Sequence, residues 1–87
     1  MAVTYVHETV SVQLFIDAKH NLVAPYRIKW RGKVYPVLEV GKYWPSQPGR
    51  NRIHWFSVNV GTLDMCIAID SYTFVATLEY VSDGLAD

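Results

Sequence analysis

Apolar side chains recur at every second position through most of this chain, and that period of two restricts it to strands. Val10, Val12, Leu14 and Ile16 share one parity while Thr9, Ser11 and Gln13 share the other. Successive side chains on a strand point to opposite faces, so residues 3–16 read as a strand with one buried and one wetted face. Tyr26, Ile28 and Trp30 repeat the pattern opposite Arg27 and Lys29. Residues 53–60, 65–70 and the run Phe74, Ala76, Leu78, Tyr80 follow it again, and no window carries the 3.6-residue period of a helix.

Turn formers divide these runs. Residues 17–21 interrupt the first strand, and Pro25 marks where the next can begin. Gly32 supplies the positive φ of a tight hairpin between residues 26–30 and 33–40, with a loop of two or three residues. Gly41 ends that third strand, and the proline-containing stretch 45–51 reads as a loop that joins neither a helix nor a central strand. Further turns fall at 61–64 and at Ser71-Tyr72. The expectation is an all-β fold with about six antiparallel strands in a small barrel or sandwich, SH3-like or OB-like, with little or no helix. Residues 1–82 form one domain in this reading, and 83–87 a flexible C-terminal tail.

The chain has 87 residues, 51% of them hydrophobic, with three Trp, six Tyr and three Phe, a composition that builds a core and excludes disorder. Trp30 is expected in that core, on the face of Tyr26 and Ile28. The single cysteine, Cys66, excludes an internal disulfide. No apolar run approaches the roughly 20 residues of a membrane span. No charged start followed by an apolar run precedes the first strand, so a cytoplasmic protein without a membrane partner is expected.

Charge is sharply segregated. All eight Lys and Arg lie between Lys19 and Arg52, a stretch holding one acid, Glu39, so a neutral chain has a centre of about +7 flanked by ends of about −7. Rings interleave with these cations. Cations attract phosphates and flat rings stack on bases, so Arg27, Lys29, Arg31, Lys33, Arg50 and Arg52 are candidates for phosphate contacts, with Tyr43 or Trp44 stacking on a base of single-stranded nucleic acid. The plainer reading is a solvated strand face with its rings in the core. The loop from Tyr43 to Arg52 is the best candidate surface, unless Trp44 folds back onto the sheet and caps the barrel end.

The central hairpin carries a pattern: Trp30-x-Gly32-Lys33-x-Tyr35-x-Val37-x-Glu39-Val40-x-x-x-Trp44, then Arg52-x-x-x-Phe56-x-Val58. Across roughly residues 25–60 it resembles a small bacterial all-β domain of unknown function, similar to segments near the tails of proteins related to Y-family DNA polymerases. The resemblance implies an all-β fold and an association with DNA handling, and it implies no catalytic residue.

Other chemistry finds little support. His7, His20 and His54 show no metal-ligand spacing, and His54 is expected to face solvent beside Trp55. Cys66 sits in an apolar strand, where burial suppresses the thiolate needed of a nucleophile. Asp64 and Asp70 fall near turns, where acids are commonly just solvated. No glycine-rich phosphate loop is present. The expectation is therefore a non-enzymatic binding module without metal or cofactor, whose partner is single-stranded nucleic acid. The alternative is a protein-interaction or self-assembly module, pairing through opposed charge with an acidic protein or as a weak homo-oligomer.

Overall fold

The computed structural model describes residues 3–19 and 22–83. Seven strands make up the fold: β1 (Val3–Asp17), β2 (Leu22–Trp30), β3 (Lys33–Pro36), β4 (Glu39–Ser46), β5 (Ile53–Asn59), β6 (Asp64–Asp70) and β7 (Ala76–Ser82). They form one sheet in the order β3-β2-β1-β7-β6-β5-β4, antiparallel at every pairing. The all-β expectation holds, and no described residue is helical. No described helix is therefore long and apolar enough to cross a membrane. From residue 84 onward the expected tail lies outside the described residues, as does His20.

One more strand exists than the sequence suggested, for reasons that lie in edge positions and bulges. The expected strand 33–40 breaks at Val37-Leu38, and β4 then continues through Gly41 and Pro45 to Ser46. Pro45 is tolerated because β4 is an edge strand with a partner on one side only. Gly41 does not end a strand. It sits where the register slips between Val40 and Lys42, with the Ser57 carbonyl 3.5 Å from where a Cβ would stand. Likewise Pro25 lies inside β2 rather than at its start, at a part of β2 that β3 does not reach.

Curling of the sheet follows from two observations. β1 spans 15 residues and serves two neighbours, pairing with β7 through Val3–Val10 and with β2 through Ser11–Asp17. It bends between the two, so that its second half, β2 and β3 form a small wall facing the larger wall of β7, β6, β5 and β4. The outermost strands β3 and β4 are also consecutive in sequence, joined only by Val37 and Leu38. Such a short link forces the two edges of the sheet together at that point. There the Val37 N–H donates to the Tyr26 carbonyl at 2.9 Å and the Leu38 N–H to the Asn59 carbonyl at 2.8 Å. The result is a half-barrel, closed along this seam and open beyond it.

Packed between the walls is the core of Val10, Ile28, Phe56, Val58, Met65, Ile67, Ile69, Ala76 and Leu78. Ile28 is the small wall's fully buried contribution. Trp30 packs partly buried against this core, but Tyr26 does not join it. The β1–β2 register pairs Gln13 with Arg27 and Leu14 with Pro25, leaving Tyr26 as the extra residue of a bulge and turned toward solvent. The β2–β3 loop holds two residues, Arg31 and Gly32, with φ of 53° and 79°, the two positive angles of a type I′ hairpin turn.

Candidate functional site

The basic and aromatic residues singled out from the sequence do not converge. Arg27 and Lys29 alternate with buried Ile28 and stand on the outer face of the small wall, around a depression of about 310 Å³ with Ser11, Gln13 and Val34. Arg31 is occupied. Its Nε donates to Glu8 Oε1 at 3.2 Å and its Nη2 to Oε2, its guanidinium lies 4.8 Å from the Trp30 ring, and Trp30 Nε1 also donates to Glu8 Oε1 at 3.0 Å. These hydrogen bonds from Arg31 first and Trp30 second hold the Glu8 carboxyl below the ordinary glutamate value. Lys33 lies over the Tyr35 ring at 5.2 Å.

On the opposite edge of the sheet, Trp44 stacks on Trp55 of the paired strand with centroids 5.9 Å apart and planes 6° from parallel, and the Lys42 ammonium stands 5.4 Å from the Trp44 ring. Trp55 Nε1 donates to Ser46 Oγ at 2.9 Å. Trp44 thus folds back onto its own sheet. Arg50 and Arg52 are exposed in the loop that follows β4, and the Arg52 carbonyl accepts from both the N–H and the hydroxyl of Ser71 at 3.0 Å. The charge segregation of the sequence is offset in space at one point, where β1 brings Glu8 to Arg31; Glu79 of β7 lies instead 2.9 Å from His7 Nδ1, within the flanking strands.

Tyr43 turns the other way. The register slip at Gly41 puts Val40 and Tyr43, three residues apart, on one face of β4, and both point into the space between the walls. His54, expected to face solvent, is half-buried there. Its Nδ1 is 2.7 Å from the Tyr43 hydroxyl, and the two rings stack with centroids 5.9 Å apart. They line a cleft of about 720 Å³ that no sequence pattern had suggested. One side is Leu14, Ile16, Val23 and Ala24 of the small wall, the other Val40, Tyr43, His54 and Phe56, with Ile69, Ser71 and Phe74 at the end. Ile16 is 71% exposed and Phe74 77%, so the cleft opens to solvent through an apolar rim.

Phe74 is held in that position by a turn built on Asp70. Asp70 Oδ1 accepts from the Tyr72 and Thr73 N–H groups at 2.8 and 3.2 Å, Oδ2 accepts from Asn51 Nδ2 at 2.9 Å, and the Asp70 carbonyl accepts from the Phe74 N–H at 2.7 Å. Burial pushes the Asp70 carboxyl up, but the donors from Asn51, Tyr72 and Thr73 outweigh it and leave it below its ordinary value. Phe74 takes a φ of 60°, which costs an ordinary L-residue roughly 1–2 kcal/mol. An aromatic ring is thus presented to water at a backbone cost, the kind of local strain that collects at functional surfaces.

Cys66 is buried on β6 beside its register partner Tyr80 of β7, and burial first, with a Tyr80 hydrogen bond opposing and the Glu79 charge adding, pushes its thiol up. No group of three or more His, Cys, Asp and Glu arranged to hold a metal exists among the described residues. No protein-family model matches the chain, and neither a curated protein nor a solved structure matches it. The cleft left one trace in the sequence: Ile16 and Phe74 are large apolar residues beside turns, where polar ones are usual.

Proposed function

We propose that this chain is a small non-enzymatic protein-interaction module whose contact surface is the cleft between the two walls of the half-barrel. The observation that carries this reading is the cleft's volume of about 720 Å³ combined with its exposed apolar rim. A cavity of that size lies within the ligand-site range of roughly 300–1,000 Å³, and contiguous exposed apolar surface in a soluble domain marks a contact. Lys42, on the outer face of β4 over the Trp44 ring, and the exposed Arg52 stand near this opening without an acid partner among the described residues, which suits an acidic protein. The test uses the dye 8-anilinonaphthalene-1-sulfonate, whose fluorescence rises on apolar surface. The folded protein should bind it, and the Ile16→Gln/Val23→Gln variant should lose that binding while staying folded, its unfolding midpoint lowered only modestly because both residues are partly exposed. Equal dye binding by both proteins overturns the reading.

A second reading is single-stranded nucleic acid. It is favoured by the Trp44–Trp55 stack with Lys42 over it and by the exposed Arg50 and Arg52 nearby in sequence. The resemblance of the central hairpin to domains associated with DNA handling points the same way. Arg27 and Lys29, on the outer face of the other wall, lie outside such a platform.

A further inference from the structure

The cleft is bordered by backbone as well as by side chains. β3 pairs with β2 only from Arg27 to Trp30, so residues 22–25 of β2 have an edge with no strand partner among the described residues. β4 pairs with β5 on one side, and its other edge is likewise unpaired. These two edges flank the same gap. At the closed end a single stretch of the chain's own backbone bridges it, Val37 donating to Tyr26 on one side and Leu38 to Asn59 on the other. Past that link no strand among the described residues bridges the gap, and its walls are mostly apolar.

We propose that an extended polypeptide segment with alternating apolar and acidic side chains enters this gap as an added strand between β2 and β4, continuing the path of Val37 and Leu38 and closing the barrel. This rests on the cleft being the contact surface and specifies its occupant. Unpaired strand edges are templates for another strand, main-chain hydrogen bonds supply affinity in such additions, and pockets for alternate side chains supply selectivity. Side chains of one parity would fill the space between Val23 and Tyr43, and the opposite parity would face water. Charge decides the rest: Lys42 stands on the outer face of β4, beside the water-facing side chains of an added strand, and it and the exposed Arg52 have no acid partner among the described residues, whereas the Asp70 carboxylate is taken up by Asn51, Tyr72 and Thr73. Pro25 and Pro45 offer no N–H, which limits the added ladder to the portions between them.

The experiment selects from a phage-displayed library of random peptides eight residues long, the length of β4, against the intact chain. Enriched sequences should alternate apolar and acidic residues. A synthetic copy should lose at least about tenfold in affinity against Ile16→Gln/Val23→Gln, and again when alternate peptide amides are N-methylated, since methylation removes the ladder donors and keeps the side chains. Lys42→Gln/Arg52→Gln should weaken binding by a few fold and flatten its salt dependence. No enrichment, enrichment without alternation, or indifference to N-methylation on both parities overturns strand addition. If the dye still distinguishes wild type from Ile16→Gln/Val23→Gln, the cleft reading survives that failure; if it does not, both fall. A dimer that Ile16→Gln/Val23→Gln dissolves would make a second copy the occupant and overturn the peptide proposal.

Discussion

Ile28 and Ile16 lie on the same face of the same small wall, and truncating each to alanine should give very different results. Ile28 is 0% exposed, enclosed by the core of the opposite wall. Its truncation removes about three buried carbon groups at about 0.8 kcal/mol each and leaves a cavity that the rigid strands around it cannot refill, so the loss should be about 3–4 kcal/mol. For a domain of this size that lowers the melting temperature by roughly 12–30 °C. Ile16 is 71% exposed on the cleft rim, so the same truncation removes less than a third of that burial, worth about 0.7 kcal/mol and a few degrees. Urea and thermal unfolding followed by tryptophan fluorescence and far-ultraviolet circular dichroism would read both variants against wild type. A loss above about 2 kcal/mol for Ile16→Ala would mean that the walls close over it and that no open cleft exists. A negligible loss for Ile28→Ala would refute the packing of the small wall on the large one.

The Glu8 carboxyl is held below its ordinary value by Arg31 and Trp30, so its contribution to stability is complete above the ordinary glutamate range and disappears as pH falls through the lowered folded value. The stability gap between wild type and Glu8→Gln should therefore be largest near neutrality and shrink in acid, as denaturant midpoints across pH would show. Phe74→Asn should raise stability by roughly 0.5–1 kcal/mol, because asparagine tolerates the φ of 60°, while lowering dye binding at the cleft. If the Trp44 platform binds single-stranded DNA, Arg50→Ala/Arg52→Ala should flatten the salt dependence by about 0.7 per lost contact. Trp44→Ala should instead cost about 1–3 kcal/mol with the slope unchanged.

Strands were legible in this sequence because alternation is local, and the chain alternates strongly in β1, β5 and β7. Alternation is also where the reading failed. A bulge adds one residue and reverses parity, so Tyr26 was assigned to the face of Ile28 although the slip against Gln13 and Leu14 turns it outward. The slip at Gly41 had the opposite consequence, placing Val40 and Tyr43 together in the cleft. Pro25 and Pro45 looked like strand breaks because their neighbours are not visible in one dimension, and a proline is harmless where no partner needs its N–H. The basic run misled for a related reason. Arg27 and Trp44 are close in sequence, yet β2 and β4 occupy different walls, and long-range pairing brings Glu8 rather than a second base to Arg31. The cleft depends on how far two edges meet after the Val37-Leu38 link, a property of the closed sheet and of no segment within it.

Amide hydrogen exchange on the free protein tests the open half-barrel most directly, because it needs no ligand. Strand β6 lies between β5 and β7, so its amides should be the most protected. On β4 only alternate residues can donate to β5, and the others should exchange near the unstructured rate, together with the unpaired amides of residues 22–24. Rapid exchange at every second β4 amide beside a protected β6 is the expected result. Uniform protection along β4 and residues 22–24 in a monomer would mean that the edges are already paired, and would contradict an open cleft awaiting a strand.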